Sequence, residues 1–249
     1  MVRIARLVFQ FLLYCWFGFW VAGSFLTVFP LLAVLLSRTE WYPYALKVRR
    51  KWFAFGLFCG GVRVETIFEE PLTETTYVIT PNHTSKLDMM VLPTQLSVDF
   101  NFAADKAFEK IPLFGLFLKT IDVPVNLKSK RSAALAFKQG VAQLVKGQSL
   151  GVFPEGTIAR MTPRLSPFKN GAFKMAIVSK RPILPVTFIH TWELLPDAGP
   201  LQFRPGKVIM YVHAPIQTKN MLPGQTDELR ERVRRLIANK LKEHGYDPD

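Results

Sequence analysis

The stretch Thr76–Met90, TYVITPNHTSKLDMM, joins an apolar run to a proline break and then to the start of a helical pattern. Thr76 to Thr80 reads as a short buried strand. Pro81-Asn82 ends it, and Ser85 onward begins a helix. A strand that feeds a helix through a sharp turn is the repeating unit of α/β folds. His83 then falls in a strand-to-helix loop, beyond the carboxyl end of a strand, where open α/β sheets keep their sites.

The same alternation extends in both directions. Val62–Ile67, Phe100–Ala104, Asp122–Val125, Ser149–Phe153, Ile183–Ile189 and Lys207–His213 read as strands. Pro112–Leu118 is a very apolar short helix. Lys130–Lys146 is a helix ended by Gly147, and Asn170–Lys180 is another. Leu229, Val233, Leu236, Ile237 and Leu241 share one helical face near the end, with Thr226 as the expected cap. The expected fold is α/β, a mixed sheet flanked by helices, spanning 61–249.

Residues 1–60 have a different character. From Leu7 to Ser37 there is no charged residue, and as helix this run exceeds the ~30 Å of a bilayer core. Hydrophobic sequence continues past the small residues Ala22-Gly23-Ser24, so a retained anchor is expected rather than a cleaved leader. Pro30 is positioned to kink it. Trp41–Gly60, WYPYALKVRRKWFAFGLFCG, is a basic amphipathic stretch, expected to lie as a second helix along the membrane surface. Cys15 and Cys59 are expected to be buried small hydrophobes; two cysteines make neither a disulfide framework nor a metal cluster.

Net charge is +13 over 249 residues. Nucleic acid and anionic lipid are the polyanions such a balance could serve. Between residues 128 and 181 there are eleven Lys or Arg and one acid, Glu155. Lys47, Arg49, Arg50 and Lys51 follow the anchor directly, the pattern of attraction to anionic headgroups and of a cytoplasmic-side segment. Neither a Cys/His zinc pattern nor an aromatic RNA-binding signature accompanies the charge, so lipid is the expected partner and nucleic acid is not.

His83 and Asp88 admit two readings. Five residues apart on a straight helix they would diverge by ~140°. With His83 in the loop and Asp88 in the first helical turn, a carboxylate could orient the imidazole as a general base. Equally, Ser85 and Asp88 could form a helix-capping pair, leaving His83 a turn residue. Two further stretches point toward an anion. FPEGTIAR, Phe153–Arg160, places a tight turn after a strand, with exposed N–H groups, Thr157 and Arg160. Pro167–Phe173, PFKNGAF, runs into a helix with Lys169 near its start. His190, His213 and His244 have no partner legible in sequence and are expected to be structural.

Together, Asn82-His83-Thr84-Ser85-Lys86-Leu87-Asp88 (NHxxxxD), Phe153–Thr157 (FPEGT), Pro167–Ala172 (PFKxGA) and Pro182–Val186 resemble the blocks of the 1-acylglycerol-3-phosphate acyltransferases, in their order. The resemblance covers about residues 60–215. It implies that His83, held by Asp88, deprotonates an acceptor hydroxyl that attacks an acyl thioester. Acyl-CoA or acyl carrier protein would be the donor, with no metal, cofactor or covalent intermediate. The acceptor would be lysophosphatidate, bound near the FPEGT block by Asn82, Glu155, Gly156, Thr157, Arg160 and Lys169, with Lys106 and Lys128 nearby.

Two departures bear on the headgroup. The arginine usual after EGT is Ile158 here, with Arg160 two residues on. The Asp-Arg pair usual in the earlier block is replaced by Asn126-Leu127, with Lys128 beyond. A charged donor holds phosphate about twice as strongly as a neutral one. Either the shifted cations substitute, or the acceptor is another lysolipid, such as a lyso-aminolipid or lysophospholipid. A non-enzymatic protein binding anionic lipid is the rival from a different class.

Overall fold

A long apolar run satisfies its backbone in a membrane only by hydrogen-bonding to itself, and a helix does so within one segment. In the computed structural model, which describes residues 2–198 and 201–248, Val2–Leu35 forms a single helix α1, passing through Pro30 without interruption. Its stretch Ile4–Leu35 is long and apolar enough to cross a membrane, and only 11% of its most apolar window is covered by protein. α1 thus equips the chain for membrane association.

A turn at Thr39–Trp41 reverses the chain into α2, Tyr42–Cys59. The two helices run antiparallel. Trp16 Nε1 donates to the carbonyl of Cys59, at the far end of α2, while Trp52 Nε1 donates to Ser24 Oγ nearer the turn. α2 buries Leu46, Trp52, Phe53 and Leu57 and leaves Lys47 and Lys51 exposed, as its amphipathic pattern requires. Cys59 is half-buried, but Cys15 is exposed on α1, against the expectation that both are enclosed. The reason is that protein covers so little of α1.

The remaining elements follow in chain order: β1 Val62–Phe68, β2 Val78–Pro81, α3 Leu87–Gln95, β3 Phe100–Asp105, α4 Pro112–Leu118 and β4 Val123–Val125. Then come α5 Lys130–Val145, β5 Ser149–Val152, α6 Gly171–Ser179, β6 Ile183–Ile189, α7 Thr191–Leu194, β7 Gly206–Val212 and α8 Thr226–Glu243. The fold is α/β. Its seven strands are ordered β1-β7-β6-β2-β5-β3-β4. β2 pairs in parallel with both β5 and β6, and β3 in parallel with both β4 and β5. The register sets Thr80 beside Pro185, Ala103 beside Val152 and Asp105 beside Val125. Pro124, which cannot donate to a ladder, sits in β4 at the sheet's edge.

The chain forms two compact units, each assembled from several segments. One comprises Met1–Thr66, Thr84–Leu96 and Phe188–Met210; the other Ile67–His83, Ser97–Thr187 and Tyr211–Asp249. The first extends beyond the helical pair because later segments pack on it. Phe17 of α1 stacks on Phe203, and the Phe203 N–H donates to the Gln10 carbonyl. In the second unit the core lies between the parallel strands and their helices, with Val78, Ile79, Leu150, Phe173 and Leu184 buried.

Two helix starts differ from the sequence reading. α3 begins at Leu87 with Lys86 as its cap residue. α8 is entered from a 3-10 turn at Pro223–Gln225, so Gln225 rather than Thr226 occupies the cap position. The Thr226 hydroxyl instead donates back to the Pro223 carbonyl at 2.7 Å.

Candidate active site

β2, β3, β4 and β5 are parallel, so the loops that follow them leave one edge of the second unit's sheet. His83 follows β2, Lys106 follows β3, Lys128 follows β4, and the Phe153–Arg160 loop follows β5. The topology therefore gathers at that edge most of the residues expected from sequence.

The most closely held member is His83. It is only 9% exposed, and its ring stacks on Phe153 with centroids 4.0 Å apart. Its backbone is held on both sides by the loop after β5. The His83 N–H donates to Glu155 Oε1 at 2.8 Å, and its carbonyl accepts the Ala159 N–H at 2.9 Å. Asn82, just before it, is fully buried.

Glu155 is the hub of this grip. Its second oxygen, Oε2, accepts the Ser166 N–H at 2.8 Å. Both carboxylate oxygens are thus engaged by protein main chain. The side chain is buried, and burial pushes its pKa up to about 7, against the two backbone donors that favour the charged form.

Gly156 makes the tight turn that the FPEG sequence suggested. Its φ is +79°, a conformation glycine adopts without penalty, and its N–H closes on the Phe153 carbonyl at 3.0 Å. Space is short as well. A Cβ there would lie 2.5 Å from Lys169 Nζ and 2.7 Å from Leu127 Cδ1. The Lys169 N–H in turn donates to the Pro154 carbonyl at 2.8 Å, so both ends of this lysine lie against the Phe153–Gly156 turn. Thr157, Arg160, Lys106 and Lys128 are exposed to solvent around the same edge. Lys106 opens a 3-10 helix, Lys106–Lys110, capped by Asp105.

Asp88 belongs to the other unit and is fully buried. Its Oδ2 accepts the N–H groups of Thr84 at 2.7 Å and Ser85 at 2.8 Å. Ser85 Oγ accepts the Leu87 N–H and donates to the Leu195 carbonyl, and Thr84 Oγ1 pairs with Thr191 Oγ1 at 2.9 Å. Asp88 thus gathers the N–H groups of Thr84 and Ser85, which fixes the backbone immediately after His83, although Lys86 rather than Ser85 holds the cap position.

Sequence reasoning did not single out Phe153 as a platform for the imidazole, nor Ser166 and Ala159 as anchors. The aromatic ahead of Pro-Glu-Gly was the available signal. Nothing flags Ser166 and Ala159, because both act through main-chain N–H groups. Two of the other histidines bond to neighbouring side chains: His213 Nε2 pairs with Thr187 Oγ1 at 2.8 Å, and His190 Nδ1 with Glu193 at 3.1 Å.

The acyltransferase family model matches residues 63–189. A 1-acyl-sn-glycerol-3-phosphate acyltransferase of Saccharomyces cerevisiae is 33% identical over 192 residues, 76% of this chain and 63% of that protein. A chloroplastic enzyme of the same name from Brassica napus is 30% identical, the match covering 69% of this chain and 48% of that protein. The chain thus spans roughly half to two thirds of these relatives. One from Borreliella burgdorferi is 28% identical across 78% of this chain and 77% of its own length. The fold is that of the 1-acyl-sn-glycerophosphate acyltransferase PlsC from Thermotoga maritima, with a TM-score of 0.77 at 22% identity, covering 97% of this chain and 98% of that one.

Proposed function

This chain belongs to the acyltransferase family, and from that premise we propose that it transfers a fatty acyl group to the hydroxyl of lysophosphatidate, forming phosphatidate. The donor is a thioester, acyl-CoA or acyl carrier protein. His83 removes the hydroxyl proton as the oxygen attacks the thioester carbonyl. The new ester C–O bond forms, the C–S bond breaks, and the proton passes from His83 to the departing thiolate. Asp88 serves by holding the Thr84 and Ser85 N–H groups, which fixes the loop that carries the base.

The observation that carries this reading is the fixation of His83. An imidazole stacked on Phe153, with its own N–H and carbonyl both held, meets a base's need for a defined position before substrate arrives. The Lys169 ammonium beside Gly156 supplies a cation next to a turn, which suits the acceptor phosphate, and Arg160, Lys128 and Lys106 extend the positive field there. Lys47, Arg49, Arg50 and Lys51 beside the anchor favour a cytoplasmic-facing site.

The test is His83→Ala in full-length protein with thioester donor and vesicle-borne lysophosphatidate. Acyl transfer is expected to vanish while vesicle binding is unchanged; retained turnover rejects the proposal and favours a lipid-binding role without chemistry. A second acceptor reading has one specific support, since Leu127 brings an apolar side chain against Gly156 where the family usually has a cation nearby. A panel of lysolipids read by mass spectrometry decides it, because equal or better turnover of a different lysophospholipid or a lyso-aminolipid replaces lysophosphatidate as acceptor.

A further inference from the structure

Between α1 and α2 lies a cavity of about 800 Å³, within the size range of ligand-binding clefts. From α2 it takes Val48, Lys51, Trp52 and Phe55, spaced i, i+3, i+4 and i+7, one helical face. From α1 it takes residues from Phe19 to Leu31, so it follows that helix for ~18 Å at 1.5 Å per residue. That exceeds the ~15 Å depth of one leaflet's hydrocarbon.

What opens the cavity is visible in the sequence. Gly23, Ser24 and Thr27 are small residues on the cavity side of α1, among aromatic neighbours. A Cβ at Gly23 would meet no atom within 4 Å. The aromatic walls are fixed: Trp20 lies edge-on to Phe55 at 5.9 Å, and buried Trp52 donates to Ser24 Oγ at 3.0 Å. The hollow between these rings is lined mostly by apolar surface, which suits an apolar occupant.

Its electrostatics choose the occupant. Lys51 is the one charged residue lining an otherwise largely apolar cavity, and it is exposed, as is Lys47 one turn earlier. Trp52, the neighbour of Lys51 in α2, bonds to Ser24, so Lys51 lies at the level of Ser24 along the pair, between Val48 and Phe55 in the cavity lining. A cation in an apolar, membrane-facing cleft is costly unless it meets an anion or reaches the headgroup layer. An anionic amphiphile answers both demands.

We propose that the α1–α2 cavity is a binding site for an anionic phospholipid of the bilayer, one acyl chain lying between Gly23 and Phe55 and its phosphate on Lys51. The site is built from α1 and α2 alone and requires none of the chemistry proposed for His83. It makes the helical pair a lipid-selective element as well as an apolar one.

The experiment is native mass spectrometry of full-length protein taken from vesicles of equal phosphatidylglycerol and phosphatidylcholine. Wild type is expected to retain one phosphatidylglycerol per chain. Gly23→Leu adds a side chain to the hollow where a Cβ meets no atom within 4 Å, and it favours helix, so circular dichroism is expected to be unchanged while retained lipid falls about tenfold. Lys51→Gln keeps the cavity and removes the charge, so the preference for phosphatidylglycerol over phosphatidylcholine is expected to fall about tenfold. Wild type without bound lipid, Gly23→Leu with as much lipid as wild type, an unchanged preference in Lys51→Gln, or a retained free fatty acid in place of phospholipid would each overturn the proposal.

Discussion

Glu155 Oε1 accepts the His83 N–H and Oε2 accepts the Ser166 N–H, both at 2.8 Å, so one buried carboxylate ties the backbone of His83 to the loop ahead of α6. An amide cannot replace it, since glutamine offers one acceptor and turns a donor toward the other N–H. Leaving a buried donor unsatisfied costs about 1–3 kcal/mol. Glu155→Gln is therefore expected to lower kcat ten- to a hundredfold by loosening His83, with the acceptor KM little changed. If Glu155 instead contacts the acceptor, as the family resemblance implies, the KM rises in steady-state assays with varied lysophosphatidate.

The same carboxylate makes stability and geometry respond to pH in opposite senses. Its folded pKa, about 7, lies above the ordinary 4.5, because burial disfavours the charge. The folded chain then holds an extra proton between those values. The stabilisation is complete below pH 4.5 and is lost as pH rises through about 7, a change of about 3 kcal/mol at ~1.4 kcal/mol per pH unit. The ionised form, however, is the one that accepts two N–H donors. Thermal melts in detergent from pH 4.5 to 8, wild type against Glu155→Gln, are expected to show wild type losing ground as pH rises. A difference constant across that range removes the assignment.

Which parts of this could be read from the chain follows from where the forces lie. β6 was expected at Ile183–Ile189 and is found there, and α5 differs from expectation by one residue, because apolar runs and glycine stops act locally. NHxxxxD and FPEGT marked the loops after β2 and β5, which are hydrogen-bonded to each other. The Glu155 grip was not legible: its partner His83 is 72 residues away and is held through a main-chain N–H, which leaves no mark on side-chain identity. Thr226 misled because Pro223-Gly224-Gln225 already turns into the helix and draws its hydroxyl backward. α7 was missed as well. Four residues, entered from His190 at φ +71°, form one turn with too little periodicity to detect.

His213 supplies the opposite acid response. It is buried, bonded to Thr187, and its ring faces Tyr211 at 4.8 Å. Burial pushes its pKa down to about 4; Glu69 and Glu243 pull it upward and Lys240 adds to the depression. Here the unfolded chain takes the proton first. Stability is whole above pH 6.5 and is lost progressively as pH falls to about 4, again by about 3 kcal/mol. His213→Asn is expected to lose part of the packing at neutral pH but to show a shallower decline between pH 6.5 and 4. An equally steep decline in the variant, measured by denaturant unfolding at each pH, rejects His213 as its source.

Gly156 and Lys169 allow the acceptor phosphate to be tested without touching the base. Gly156→Ala puts a side chain at φ +79° and a Cβ within 3 Å of both Lys169 Nζ and Leu127. Left-handed backbone alone costs about 1–2 kcal/mol for a non-glycine residue, so the turn and the ammonium beside it are expected to shift together. Lys169→Ala instead leaves the turn in place and removes only the cation. Were that ammonium a phosphate ligand, its loss would forfeit a charge-assisted contact of about 1.5–3 kcal/mol, lowering kcat/KM for lysophosphatidate ten- to a hundredfold. An acceptor with a neutral headgroup has no such contact to lose. The comparison of Lys169→Ala on phosphate-bearing and neutral lysolipids is therefore decisive, and equal losses on both would mean that Lys169 merely supports the fold of the FPEGT turn.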